Sequence, residues 1–164
     1  MIRVVVGDLA VVAVDAVLRP ADASLAPAGH SGVHLDGLGG ETFAVQRRTT
    51  TPLEAGAAVV TGAGELAAAY VLHVVIVDER KPVHHAAVRR ALVSAWQRAG
   101  DWGLARLAAP LIGAETGHLT LDEAVALLVE TFPRGAEGAP AELQIVVEAE
   151  TERARVEAIV RRLT

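Results

Sequence analysis

The chain contains no cysteine in its 164 residues, which excludes a disulfide framework, a thiol nucleophile and a zinc-thiolate site. Aromatic residues make up only 3%, too few for the stacking platforms with which single-strand binders hold bases. Positive charge is also scarce. Fifteen Lys and Arg stand against twenty Asp and Glu, a net charge of -5, and that balance argues against general binding to a phosphate backbone. The longest apolar stretch, Ala57 to Val77, is broken by Gly62, Gly64, Glu65 and His73, so it reads as two strands around a turn and not as a membrane span. The opening MIRVVVGD lacks the apolar core and small-residue cleavage site of a signal peptide. A soluble, cytoplasmic protein is expected, with no membrane partner.

Hydrophobic residues make up 52% of the chain and mean hydropathy is +0.37. Much of this is alanine, which adds little transfer energy per residue, so Val and Leu must build the core. The length fits one domain over residues 1–164, since a chain of about 150 residues buries roughly two-thirds of its unfolded surface.

Ile2 to Val6 is a β-branched run closed by Gly7-Asp8, and Val11 to Leu18 is a near-continuous apolar run ended by Pro20. Continuous apolar patterning predicts a strand covered on both faces. Further strands are predicted at Ala57–Thr61, Tyr70–Val77, Leu104–Ile112 and Leu143–Glu148. From His84 to Ala99, Val88, Ala91, Leu92, Ala95, Trp96 and Ala99 recur at three and four, the period of an amphipathic helix. Thr120-Leu-Asp-Glu123 spells a capping box for a helix to about Phe132, and Thr151 to Leu163 reads as a last helix with its arginines on a solvated face. Alternating strands and helices predict a three-layer α/β/α fold: a mostly parallel, mixed sheet of about six strands with helices on both faces.

Between the second strand and a predicted short helix at Glu41–Arg48 lies a stretch with glycines at 29, 32, 37, 39 and 40. A second glycine turn, Gly113-Ala-Glu-Thr-Gly-His118, follows the fifth predicted strand. Glycine turns between a strand and a helix let backbone N–H groups approach an anion; equally, a long surface loop needs glycines for left-handed turns. Both turns should lie in the crevice beyond the strands' carboxyl ends, where two N–H-rich turns suit a diphosphate.

Other constellations are weaker. His30, His34 and Asp36 share one stretch, but the surrounding glycines argue against a helix that would bring them together as metal ligands, and no metal is expected. His73, inside an apolar strand, reads as a hydrogen-bonded core residue, and Asp15 as a group that bonds neighbouring backbone. Ser24 and Ser31 have no nucleophile elbow around them.

The chain resembles the macro domain family. The resemblance is carried by Gly7-Asp8-Leu9, by Val14-Asp15-Ala16-Val17-Leu18, by Gly56-Ala-Ala-Val-Val-Thr61 through Tyr70-Val71-Leu72-His73, and by Pro110-Leu-Ile-Gly113 with Gly117. It implies binding of ADP-ribose or a related adenine diphosphate nucleotide, with ADP-ribosylated macromolecules as further partners and no cofactor. Asp8, beside Leu9, would accept from the adenine amino group. The backbones of Gly29, Gly32, Gly113 and Gly117, with their neighbours Val33, Ala114, Glu115, Thr116 and His118, would hold the diphosphate and distal ribose. Departures concern catalysis: Pro20-Ala21-Asp22 replaces Ala-Ala-Asn, and Gly32-Val33-His34 replaces Gly-Val-Asp. If the protein is an enzyme, the resemblance implies an ADP-ribosyl hydrolase with Asp22 and His34 as its catalytic residues. A degenerate structural or oligomerising domain without ligand is the third reading. The aromatic that stacks on adenine in the family is replaced by Glu148 or Ala149.

Overall fold

The computed structural model describes residues 1–77 and 84–164. One six-stranded sheet runs in the order β1-β6-β5-β2-β4-β3. Its strands are β1 (Ile2–Val6), β2 (Ala16–Asp22), β3 (Ala58–Gly62), β4 (Tyr70–Val77), β5 (Arg106–Ala109) and β6 (Glu142–Val147). All neighbours pair in parallel except β3, an antiparallel edge on β4. Four helices cover it: α1 (His30–Gln46), α2 (His85–Asp101), α3 (Leu121–Thr131) and α4 (Glu150–Leu163). This is the α/β/α arrangement that the alternation of strands and helices predicts.

The central strands are apolar throughout because each face meets a layer. On β2 and β4, Ala16, Leu18, Leu72, Val74 and Ile76 join the core under α2, α3 and α4, while Val17 and Val71 join Leu35 and Phe43 of α1 on the other face. Within the larger core the Trp96 ring meets Phe132 edge-on with centroids 5.4 Å apart, and its indole N–H donates to Thr131 Oγ1 at 2.9 Å, so the one polar atom of the ring is satisfied. The capping box forms as predicted: Thr120 Oγ1 accepts from Glu123 N, and the Glu123 carboxylate accepts from Thr120 N.

Three element boundaries differ from the sequence reading. The second strand begins at Ala16 and runs through Pro20 to Asp22. Pro20 is tolerated because its carbonyl, accepting from Ala28 N at 3.1 Å, faces the side where β5 has already ended after Val17; no ladder donor is lost. The strand expected over Leu104–Ile112 is confined to Arg106–Ala109. Most importantly, the glycine-rich stretch is helical from His30 onward, with a kink where Gly40 takes φ 77°. Gly39 serves close packing, since a Cβ there would lie 2.6 Å from the Phe43 ring.

A buried polar network ties α1 to the sheet. Register places Arg19 of β2 beside His73 of β4, both wholly inaccessible. Arg19 clamps Asp36 of α1 with two parallel bonds of 2.8 and 2.9 Å and donates to the Leu25 carbonyl at 2.8 Å. The same carbonyl accepts from Arg47 at 3.3 Å, and Leu25 stands at φ 63°, a conformation most side chains avoid. The loop ahead of α1 is fixed from within.

Candidate nucleotide-binding cleft

The carboxyl ends of β1, β6 and β5, with the start of α1, open on one cleft of about 940 Å³, the place where open parallel sheets accept ligands. The turn after β1 supplies Gly7, Asp8 and Leu9, and the first turns of α1 supply His30, Ser31, Val33 and His34. Pro110, Leu111, Ala114 and Glu115 come from the segment after β5, and Val146, Glu148 and Glu152 from β6 and the start of α4. Leu9, Leu111 and Leu119 make a buried apolar floor. Among the described residues the walls carry four carboxylates and two imidazoles, with no Lys, Arg, Phe, Tyr or Trp.

Asp8 stands at one end. Its Oδ1 accepts from Ala10 N at 2.8 Å, closing a turn, and from His34 Nε2 at 2.8 Å. The Ala10 amide, and secondarily His34, hold the Asp8 carboxyl below its ordinary value. Both side chains remain nearly half exposed, so the pair presents one carboxylate oxygen and an imidazole edge to the cleft.

At the other end is the start of α1. Gly29 is its N-cap at φ 139°, without a side-chain cap, and the first turn holds no acidic residue. The unpaired N–H groups there, and the positive end of the helix dipole, favour an anion. Glu115 supplies one from the second loop: its Oε2 accepts from Ser31 Oγ at 2.7 Å, and its Oε1 lies 3.4 Å from His30 Nε2. The approach requires Gly29, where a Cβ would lie 2.5 Å from the carboxylate. Burial pushes the Glu115 carboxyl up, the hydroxyl and amide of Ser31 with the His30 imidazole draw it down, and nearby Glu148 adds to the rise. His30 also reaches Glu148 Oε1 at 3.2 Å.

Of the residues expected from the sequence, Asp8, Leu9, Val33, His34, Ala114 and Glu115 line the cleft together. Gly29 lies behind Glu115, and Gly32 packs beneath α1, where a Cβ would meet Pro27 at 3.0 Å. Gly113 (φ 88°) and Gly117 (φ 73°) shape the second loop, and Thr116 donates to the Gly113 carbonyl at 3.1 Å; neither these three nor His118 is among the lining residues. Asp22 is also outside it, its Oδ1 accepting from Ser24 N, Ser24 Oγ and Ala26 N. The pair Asp22 and His34 is therefore split between the last residue of β2, outside the cleft lining, and the Asp8 end of the cleft. The Asp8–His34 and Ser31–Glu115 contacts are not visible as sequence signals while the glycine-rich stretch reads as loop. The spacing of four between His30 and His34 becomes informative only on a helix, where it sets both imidazoles on one face, His34 against Asp8 and His30 against Glu115 and Glu148.

The sequence profile described as "Macro domain" matches residues 20–128, more than half of the chain. The chain belongs to the macro domain family. An uncharacterized protein of Aeropyrum pernix is 30% identical over 126 residues, 75% of this macro domain and 66% of that protein. Uncharacterized proteins of Mycobacterium bovis and Mycobacterium tuberculosis are 28% identical over 140 residues, 85% of this chain. The chain spans only 38% of the length of these two mycobacterial relatives. Among solved structures, a macrodomain mutant of Oceanobacillus iheyensis superposes with a TM-score of 0.83 at 18% identity, covering 98% of this chain and 90% of the other. A Trypanosoma brucei macrodomain in complex with ADP gives 0.84 at 20% identity, covering 97% and 68%. An Oceanobacillus iheyensis mutant with ADPR gives 0.77 at 16%, covering 98% and 91%. At these identities the likeness is one of fold.

Proposed function

We propose that the protein binds ADP-ribose, or a related adenine diphosphate nucleotide, in the cleft between Asp8 and the amino end of α1. The observation that carries this reading is the convergence of three elements on one cleft: the Asp8 turn, the α1 start behind Gly29, and the Gly113–Gly117 loop. A carboxylate at one end matches an adenine amino group, and helix N–H groups at the other match phosphate oxygens. Solved macrodomains holding ADP and ADPR give the reading further support. Hydrolysis has less behind it, because Asp22 is engaged within its own turn and His34 is hydrogen-bonded at the adenine end.

Calorimetry with ADP-ribose tests the proposal. A saturable heat is expected for ADP-ribose, and Asp8→Ala should weaken it about ten- to a hundredfold, the worth of one charge-assisted hydrogen bond. Heat indistinguishable from dilution into buffer would contradict it. Incubation with ester-linked and base-linked ADP-ribose substrates separates binding from turnover, and no release is expected.

A further inference from the structure

The anion position at the amino end of α1 is already filled by a residue of the same chain. Glu115 arrives from the opposite loop, with only 7% of its side chain exposed. Its carboxylate takes the Ser31 hydroxyl at 2.7 Å and is drawn on by the Ser31 amide and the His30 imidazole. These are the donors an entering phosphate oxygen would use: a hydroxyl, a first-turn amide and an imidazole N–H at the positive end of a helix. A carboxylate and a phosphate cannot share them, because both are acceptors only and both carry negative charge.

The rest of the cleft offers no compensation. Asp8, Glu148 and Glu152 are the other charged side chains on its walls, and no Lys or Arg among the described residues lines it. Nor is Glu115 in comfortable surroundings. Burial disfavours its charge, and Glu148, reaching the same His30, repels it. It therefore fills the position without being locked there.

We propose that Glu115 is the specificity-determining residue of this cleft: its carboxylate is an internal competitor that a ligand's diphosphate must displace from the Ser31 and His30 donors. This rests on the nucleotide-binding reading given above and deepens it. Ligands that reach only the Asp8 end, such as adenosine, meet no competitor. Ligands carrying a diphosphate bind against Glu115, and their affinity is set by how readily that side chain leaves or takes a proton. His30 and Glu148 face the same carboxylate, and Ser31 donates to it, so these three groups modulate the exchange.

The test compares wild-type protein with Glu115→Gln and Glu115→Ala, each titrated with ADP-ribose and with adenosine. Glu115→Gln keeps the side chain's size, so the result does not depend on the loop tolerating a truncation, and circular dichroism confirms the fold of both. Removal of the charged competitor should tighten ADP-ribose binding about tenfold or more, with adenosine affinity moved less than about twofold. Wild-type affinity for ADP-ribose should also rise as pH is lowered into the range where Glu115, whose carboxyl burial pushes up, takes a proton, because a protonated Glu115 no longer competes. Glu115→Gln should lose that part of the dependence, and comparison at each pH isolates it from His30 and Glu148. If both variants bind ADP-ribose no more tightly than wild type, the competitor is refuted while the nucleotide cleft stands. If neither variant nor wild type binds ADP-ribose, both proposals fall together.

Discussion

Arg19 and His73 meet on the α1 side of the sheet with no access to water, so their charges are decided by their partners. The Arg19 guanidinium is matched by the Asp36 carboxylate at 2.8 and 2.9 Å, and Arg47 reaches the same carboxylate at 3.2 Å. Removing one side of such a pair strands the other. Arg19→Met should cost about 3–5 kcal/mol, measured by urea unfolding, and a loss under about 1 kcal/mol would contradict the role assigned to it. His73 is the opposite case. Burial first, then the positive fields of Arg19 and Arg47, lower it from 6.5 to about 3. It therefore accepts from Arg19 at 3.2 Å through Nδ1 while Nε2 donates to Thr61 Oγ1 at 2.7 Å. Because its folded value is the lower one, the unfolded chain takes up the proton first as pH falls. Stability should thus be complete above pH 6.5 and should decline toward pH 3, with a slope near one proton that His73→Gln removes. An unchanged slope in that variant would place the acid sensitivity elsewhere.

At the scale of elements, the sequence is most legible where local rules and tertiary packing agree. The Thr120–Glu123 box caps α3 through side chains only three residues apart, so it can be read without knowing the fold. Thr120→Ala should cost about 1 kcal/mol in equilibrium unfolding; no measurable loss would mean the cap is redundant. The period-three-and-four run of α2 and the β-branched runs of β1 and β4 are legible for the same reason. The helix α1 is not. Gly32, Gly37, Gly39 and Gly40 oppose helix formation one by one, and its apolar residues form no strong stripe. What overrides propensity is long-range contact: Leu35 and Phe43 buried against Val17 and Val71, and Asp36 clamped by Arg19. Neither contact has a signature in local spacing. The reading of a strand that stops at Pro20 fails for a related reason, since a proline is harmful only where a neighbour needs its N–H, and here the neighbouring strand has ended. For the site, Asp8 and the second glycine loop are readable from short motifs. The pairing of Glu115 with Ser31 crosses 84 residues and is a property of the folded sheet edge alone.

Taken as a whole molecule, the sheet brings the carboxyl ends of five parallel strands to one edge, and two different devices meet there. One is a carboxylate fixed by its own turn and by His34; the other is a helix start whose anion is supplied by a neighbouring loop. Among the described residues no helix is long and apolar enough to cross a membrane, and the chain spans only part of its mycobacterial relatives, so what can be asked of it directly is what this cleft binds. The most direct test is a titration of isotope-labelled protein with ADP-ribose, followed amide by amide in nitrogen–proton correlation spectra. Saturable shifts are predicted at Asp8 to Ala10, at Gly29 to His34 and at Gly113 to His118, with the β3 edge and the α2 face unmoved. An absence of shifts, or shifts confined to surfaces away from the strands' carboxyl ends, would contradict the account.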